Sequence, residues 1–130
     1  MQAHANDLRA EVAKDWETLA LVASGARDET ALDRFVHQAV DDWRECGCTP
    51  AVTVLLEYAE KMTRTPAELC EADIERLRRH GWSDEAIHDS VQVIAYFNYI
   101  NRVADALGVA PEEFIPRWGL RQQCGEATGD

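Results

Sequence analysis

The side chains with the greatest capacity for nucleophilic or redox chemistry are the thiols of Cys46, Cys48, Cys70 and Cys124. Cys46-Gly-Cys48 is a C-x-C pair, and the sequence has no second pair that would complete a zinc site. A reactive thiolate needs electropositive surroundings, whereas Glu45 precedes Cys46 and Glu71 follows Cys70. We therefore interpret all four as small residues at helix ends, in loops or in the tail. A dithiol role for Cys46 and Cys48 is the weaker alternative.

The histidines are the second group with catalytic or metal-binding capacity, and they are His4, His37, His80 and His88. Glu85 and His88 form an E-x-x-H, the helical spacing found in di-iron bundles, but such sites need a second copy and two further carboxylates. A solvated helix start explains this pair better. His37 stands beside Asp33 and Asp41, which favours a pair on a helix surface. The sequence therefore indicates no metal site and no cofactor.

A stripe of polar residues follows the last long helical segment, with members at i, i+3, i+4 and i+7: Asn98, Asn101, Arg102 and Asp105. The middle of this segment, Val91 to Ile100, is apolar almost all round, so we expect it to be the central, most buried helix. Burying a guanidinium is costly unless it finds partners. We favour a structural role, in which Arg102 pairs with Asp105 or with a facing helix, over the lining of a substrate pocket. Arginine is a poor acid–base catalyst, and the stripe holds no nucleophile.

The elements that must position these residues are helices, because every strong hydrophobic periodicity has a helical period. Two such stripes precede residue 45: Leu8, Val12, Trp16, Leu19, Val22 and then Leu32, Phe35, Val36, Ala39, Val40, Trp43. Thr49-Pro50 is an N-cap followed by proline at the first helical position. Thr65-Pro66-Ala67-Glu68 has the spacing of a capping box and leads into a short helix that stops at Gly81.

Ser83 caps the last long helix, which we expect to end near Leu107 with Gly108 as its stop. No strand pattern or repeat accompanies the helical segments. The sequence predicts an all-α protein, a single-domain helical bundle of about five to six helices, with the domain in residues 1–110 and a C-terminal tail in residues 111–130.

Length and charge exclude several classes of function. The chain has 130 residues and a formal net charge of −11, which argues against nucleic acid and anionic membrane surfaces as partners. The longest apolar run, Val93 to Phe97, is far shorter than the ~20 residues of a transmembrane helix. The first residues have neither the basic nor the apolar region of a signal peptide. We therefore expect a cytoplasmic protein.

Four runs of sequence resemble a known family: Leu55-Leu56-Glu57-Tyr58-Ala59-Glu60-Lys61-Met62-Thr63, Glu71-Ala72-Asp73-Ile74-Glu75-Arg76-Leu77, Gly81-Trp82-Ser83-Asp84-Glu85-Ala86-Ile87, and Phe97 through Val109. The last run reads F-N-x-x-N-R-x-A-D-x-L-G-V. This pattern resembles the alkylhydroperoxidase D-like (carboxymuconolactone decarboxylase) superfamily, in its peroxidase-related branch, over roughly residues 40–110. The resemblance implies an all-α fold, homo-oligomers and an antioxidant role in which hydroperoxides are reduced by thiols.

The family's redox motif is C-x-x-C-x-x-x-H with a glutamate upstream, where one cysteine attacks the peroxide and the other forms the disulfide. Residues 1–9 resemble the end of this motif, with His4 as its histidine and the second cysteine falling immediately before Met1. The resemblance therefore implies either a longer native protein, whose start is misassigned or hidden by a selenocysteine codon, or a natural member without peroxidase activity.

Two functions follow as expectations. The first is thiol-dependent hydroperoxide reduction, for which the C-x-x-C pair is missing from this sequence. The alternative is a non-enzymatic, homo-oligomeric helical scaffold or a module that binds a small apolar ligand. The expected partners are thus further copies of the chain and a small hydroperoxide or apolar molecule.

Overall fold

The computed structural model describes residues 7–12 and 29–110 of the chain, and within these ranges it forms helices and turns without a β-strand. Residues 7–12 are helical. The helices that follow are α1 (Glu29–Asp42), α2 (Pro50–Arg64), α3 (Glu71–Arg79) and α4 (Asp84–Ala106), with short 3-10 helices at Trp43–Cys46 and Pro66–Glu68. The prediction of an all-α helical fold is confirmed. His4, the stripe beyond Val12 up to Val22, the tail and Cys124 lie outside the described residues.

Among the described residues, no helix combines the length and the apolar character that crossing a membrane requires.

Helices α2 and α4 begin where the sequence predicts, because a hydroxyl side chain satisfies a free backbone N–H at each start. Thr49 Oγ1 accepts a hydrogen bond from Val52 N at 3.3 Å, and Ser83 Oγ accepts one from Ala86 N at 3.1 Å. The predicted stops are also confirmed. Gly81 and Gly108 have φ values of +91° and +65°, a left-handed conformation that ends a helix at little cost for glycine.

The capping box predicted at Thr65–Glu68 is wrong. The Thr65 side chain makes no capping hydrogen bond, and the proline that follows starts only the short 3-10 helix, after which Leu69 is extended. Helix α3 begins later, with Cys70 as its N-cap, and the Asp73 carboxylate accepts a hydrogen bond from Cys70 N at 2.9 Å. The turn of chain around Pro66 therefore separates α2 from α3 instead of extending α3.

The buried apolar side chains form two clusters that share no residue. The first cluster joins segment 7–12, α1 and the following 3-10 helix, and its buried members are Val12, Leu32, Phe35, Val36 and Cys46. The second cluster joins α2, α3 and the start of α4, and its buried members are Val54, Leu77 and Ile87. Arg44 stacks over the Trp43 ring and forms an ion pair with Glu60. This ion pair links the 3-10 helix of the first cluster to α2.

Helix α4 is not the most buried helix, and this prediction is wrong for the single chain. Ile87 and Val91 at its start pack in the second cluster, but Val93, Tyr96 and Tyr99 leave 55%, 59% and 65% of their surfaces exposed. The helix is apolar on several sides, as the sequence indicates, and among the described helices it packs against α2 and α3. We call the side formed by Val93, Tyr96 and Phe97 the outer face of α4.

Candidate functional site

An open groove of about 550 Å³ lies between α2, the Pro66 turn and the second half of α4. Its lining is mainly apolar and comprises Met62, Pro66, Leu69, Ala95, Asn98, Tyr99, Arg102, Val103 and Ala106. The residues from α4 follow one another at three- and four-residue steps, so a single side of that helix forms one wall.

Two members of the predicted polar stripe, Asn98 and Arg102, belong to this groove. Both contact the end of α2. The Thr63 hydroxyl lies 3.1 Å from Asn98 Oδ1, and Arg102 Nη2 donates to the main-chain carbonyl oxygen of Thr63 at 3.3 Å. The contacts join the C-terminal part of α2 to the middle of α4.

The remaining members of the stripe, Asn101 and Asp105, lie outside the groove lining. Arg102 is exposed, as are Asn101 and Asp105, whereas Asn98 is half-buried. Contact with α2, not burial, therefore distinguishes Asn98 and Arg102 from the other two. Among the described hydrogen bonds and ion pairs, Arg102 donates to a main-chain carbonyl and not to Asp105.

The described cysteines do not form an activated thiol site. Cys46 is buried in the first cluster, and burial, reinforced by the charges of Cys48, Asp42 and Glu45, raises the pKa of its thiol to about 12. Burial also raises the pKa of Cys48. Cys70 is exposed, and its Sγ lies 3.5 Å from the Asp73 carboxylate.

Charged side chains between α2 and α3 form two ion pairs. Lys61 Nζ donates to both oxygens of Asp73, at 2.9 and 2.8 Å, and Arg76 pairs with Glu57. The lysine lowers the pKa of Asp73, and the aspartate raises the pKa of Lys61. Burial raises the pKa of neighbouring Tyr58. Opposite charges are matched here and the enclosed space is about 40 Å³, so the group serves to hold α3 against α2.

The hydrogen-bond contacts of His80 and His88 are local to their own helices. His80 Nδ1 lies 2.8 Å from the Arg76 carbonyl oxygen at the end of α3, and His88 Nδ1 lies 3.2 Å from Asp89 Oδ1 on the exposed side of α4. Within residues 7–12 and 29–110, no three His, Cys, Asp or Glu side chains form a group that could hold a metal ion.

Sequence reasoning missed the groove itself. Pro66 lies in the segment where a capping box was predicted, and Leu69 follows that segment. The available signal was the spacing of Ala95, Tyr99 and Val103 beside the polar stripe, which places small, aromatic and charged residues on one side of α4.

Comparison with known proteins supports a coarse assignment. No family model matches the chain, and no curated protein matches it. Among solved structures, the chain is similar to an uncharacterized peroxidase-related protein from Silicibacter sp. TM1040, with 30% sequence identity and a TM-score of 0.69. The similarity covers 88% of this chain and 50% of that protein, so the chain spans half the length of its structural neighbour. The fold is therefore that of a helical protein similar to a peroxidase-related one.

Proposed function

We propose that this chain is a self-associating helical subunit of peroxidase-related type that does not by itself reduce hydroperoxides. The observation that carries the proposal is the outer face of α4, where Val93 and Tyr96 leave more than half of their surfaces exposed. Contiguous exposed apolar side chains on a folded domain mark interaction sites. A second copy of the chain is the occupant because the family resemblance implies homo-oligomers.

The thiols support the proposal that the chain does not by itself reduce hydroperoxides. Hydroperoxide reduction requires a thiolate, and the pKa of Cys46, at about 12, leaves that thiol protonated at neutral pH. Burial also raises the pKa of the Cys48 thiol. The C-x-C pair therefore lacks the low-pKa cysteine from which such a reaction starts.

The experiment combines two measurements on the 130-residue protein. Sedimentation velocity over a range of concentrations should show an assembly larger than 14.6 kDa. Incubation with cumene hydroperoxide and dithiothreitol should consume hydroperoxide no faster than a variant with Cys46, Cys48 and Cys70 replaced by serine. A monomer at all concentrations contradicts the proposed self-association. Hydroperoxide turnover that is lost in the serine variant contradicts the proposed lack of peroxidase activity.

Thiol-dependent hydroperoxide reduction is the second candidate, and the similarity to a peroxidase-related protein is the observation that favours it. In that reaction a thiolate attacks the O–O bond and gives a sulfenic acid and an alcohol. A second thiol then displaces water from the sulfenic acid to form a disulfide, which an external dithiol reduces.

This chemistry needs a second thiol beside the first, and the printed sequence contains no C-x-x-C. The intact mass of the protein purified from its native host distinguishes the two candidates. A mass that includes residues ahead of Met1 with two cysteines, together with hydroperoxide turnover by that form, favours the enzyme. A mass equal to that of the printed chain favours the assembly subunit.

A further inference from the structure

The groove between α2 and α4 contains a guanidinium without an acidic partner. Arg44, Arg76 and Arg78 each form an ion pair with a carboxylate. Within the part of the chain that the structure describes, Arg102 instead makes one hydrogen bond, to the Thr63 carbonyl oxygen. A guanidinium carries five N–H donors, so most of those on Arg102 have no protein acceptor.

Among the described residues, Arg102 shares the lack of an acidic partner with Arg79, but unlike Arg79 it lies in the lining of the groove. Its neighbours in the groove include Met62, Leu69 and Val103, and the lining contains no acidic side chain. Asn98, one helical turn before Arg102, adds an amide that lies within hydrogen-bond distance of the Thr63 hydroxyl. The groove therefore combines an apolar floor with a cation and an amide on one side.

We propose that this groove binds a small amphipathic carboxylate, with its apolar body along Met62, Leu69 and Val103 and its carboxylate on Arg102. The planar guanidinium matches a carboxylate with two parallel hydrogen bonds, a geometry that lysine does not offer. The volume of about 550 Å³ lies within the usual range for small-molecule sites, about 300–1,000 Å³.

The net charge of −11 does not prevent binding of an anion at this position. At physiological ionic strength the screening length is about 8 Å, so charges on distant helices contribute little. The nearest acidic residue along α4 is Asp105, three residues after Arg102, and it is exposed and outside the groove lining. Asp105 should therefore weaken the binding of an anion without preventing it.

The groove and the proposed self-association surface occupy different sides of α4. At 100° per residue, the groove residues from α4 and the outer face are centred about 140° apart around the helix. Val93 and Arg102 lie about 180° apart around the helix, so substitutions at these two residues test the two proposals separately.

The experiment measures binding of decanoate, below its micelle-forming concentration, by isothermal titration calorimetry. Decanol provides the same apolar body without the charge. We expect one decanoate site per chain, with decanol weaker by up to about fivefold, because Arg102 is exposed and an exposed ion pair contributes at most about 1 kcal/mol. Arg102→Gln should weaken decanoate by a similar factor, whereas Asp105→Asn should strengthen it.

The matched control is Arg79→Gln, which removes a positive charge from α3 outside the groove lining and should leave decanoate binding unchanged. Circular dichroism of each variant establishes that the helices are intact. Equal affinity for decanoate and decanol, equal loss in Arg79→Gln and Arg102→Gln, or no decanoate binding overturns the proposal. The proposal is also overturned if the ligand-free protein forms an assembly that Tyr99→Asp dissociates and Val93→Asp leaves intact. In that case a second copy of the chain occupies the groove.

Discussion

Substitution of Val93 by aspartate tests whether the outer face of α4 holds the assembly together. Complete burial of a valine side chain contributes about 1.5–3 kcal/mol. Val93 is 55% exposed, so its coverage by a second copy contributes about 0.8–1.6 kcal/mol per chain. A symmetric contact includes this residue from both copies. The aspartate would also place a carboxylate in an apolar contact, which costs further free energy.

We therefore expect Val93→Asp to raise the dissociation constant by at least about a hundredfold. The measurement is sedimentation velocity or light scattering across a concentration series, with a 14.6 kDa species as the product of dissociation. Val109→Asp is the matched control, because Val109 is the same residue type, is 64% exposed and follows the end of α4. Valine and aspartate have similar helix propensities, so the helix itself should persist. An unchanged assembly in Val93→Asp, or equal dissociation by Val109→Asp, would refute the reasoning.

Three further predictions concern the fold and the thiols. Asp73→Asn keeps an oxygen that can accept from Cys70 N but removes the charge facing Lys61, so its melting temperature at neutral pH should fall below that of the wild type. Because the folded pKa of Asp73 is lowered, its stabilisation is complete above the ordinary value of 3.8 and is lost as pH falls through the folded value. Thermal melts of the variant should thus be less sensitive to acid, and parallel acid dependence in both proteins would contradict the role of the pair. Leu77→Ala, at a side chain that is 1% exposed, should reduce the free energy of unfolding by about 2–5 kcal/mol in urea titrations, and a loss well below this range would place Leu77 outside the core. In native protein, peptide mapping should show iodoacetamide reacting with Cys70 faster than with Cys46, whose pKa of about 12 and burial protect it, and urea should abolish the difference; equal native rates would contradict the burial of Cys46.

The helix ends were predictable because their causes are local. A hydroxyl that accepts from a backbone N–H two or three residues later, as at Thr49 and Ser83, is encoded within one turn. A glycine in the left-handed region, as at Gly81 and Gly108, is equally local. The start of α3 was missed because its N-cap is Cys70, a residue outside the usual capping set, while Thr65 and Pro66 offered a stronger pattern nearby.

The exposure of α4 was not predictable from one sequence. Hydrophobicity around Val93 and Tyr96 indicates that the helix must be covered, but it does not indicate whether the same chain or another one covers it. The groove depends on the same long-range information. Asn98 and Arg102 were singled out by their spacing, yet their contact with Thr63 spans 35 and 39 residues of sequence and follows only from the packing of α2 on α4.

The division of the described core into two clusters has a consequence for how the protein opens. Amide hydrogens exchange through local openings whose free energies depend on how much surface each opening exposes. The ion pair of Arg44 with Glu60 joins the first cluster to α2, and its arginine is half-exposed. Exposed ion pairs contribute little to the free energy of unfolding. Opening the cluster around Val36 therefore removes little support from the cluster around Leu77. Hydrogen exchange should show two levels of protection within this one chain, one in α1 and another shared by α2, α3 and the first turns of α4.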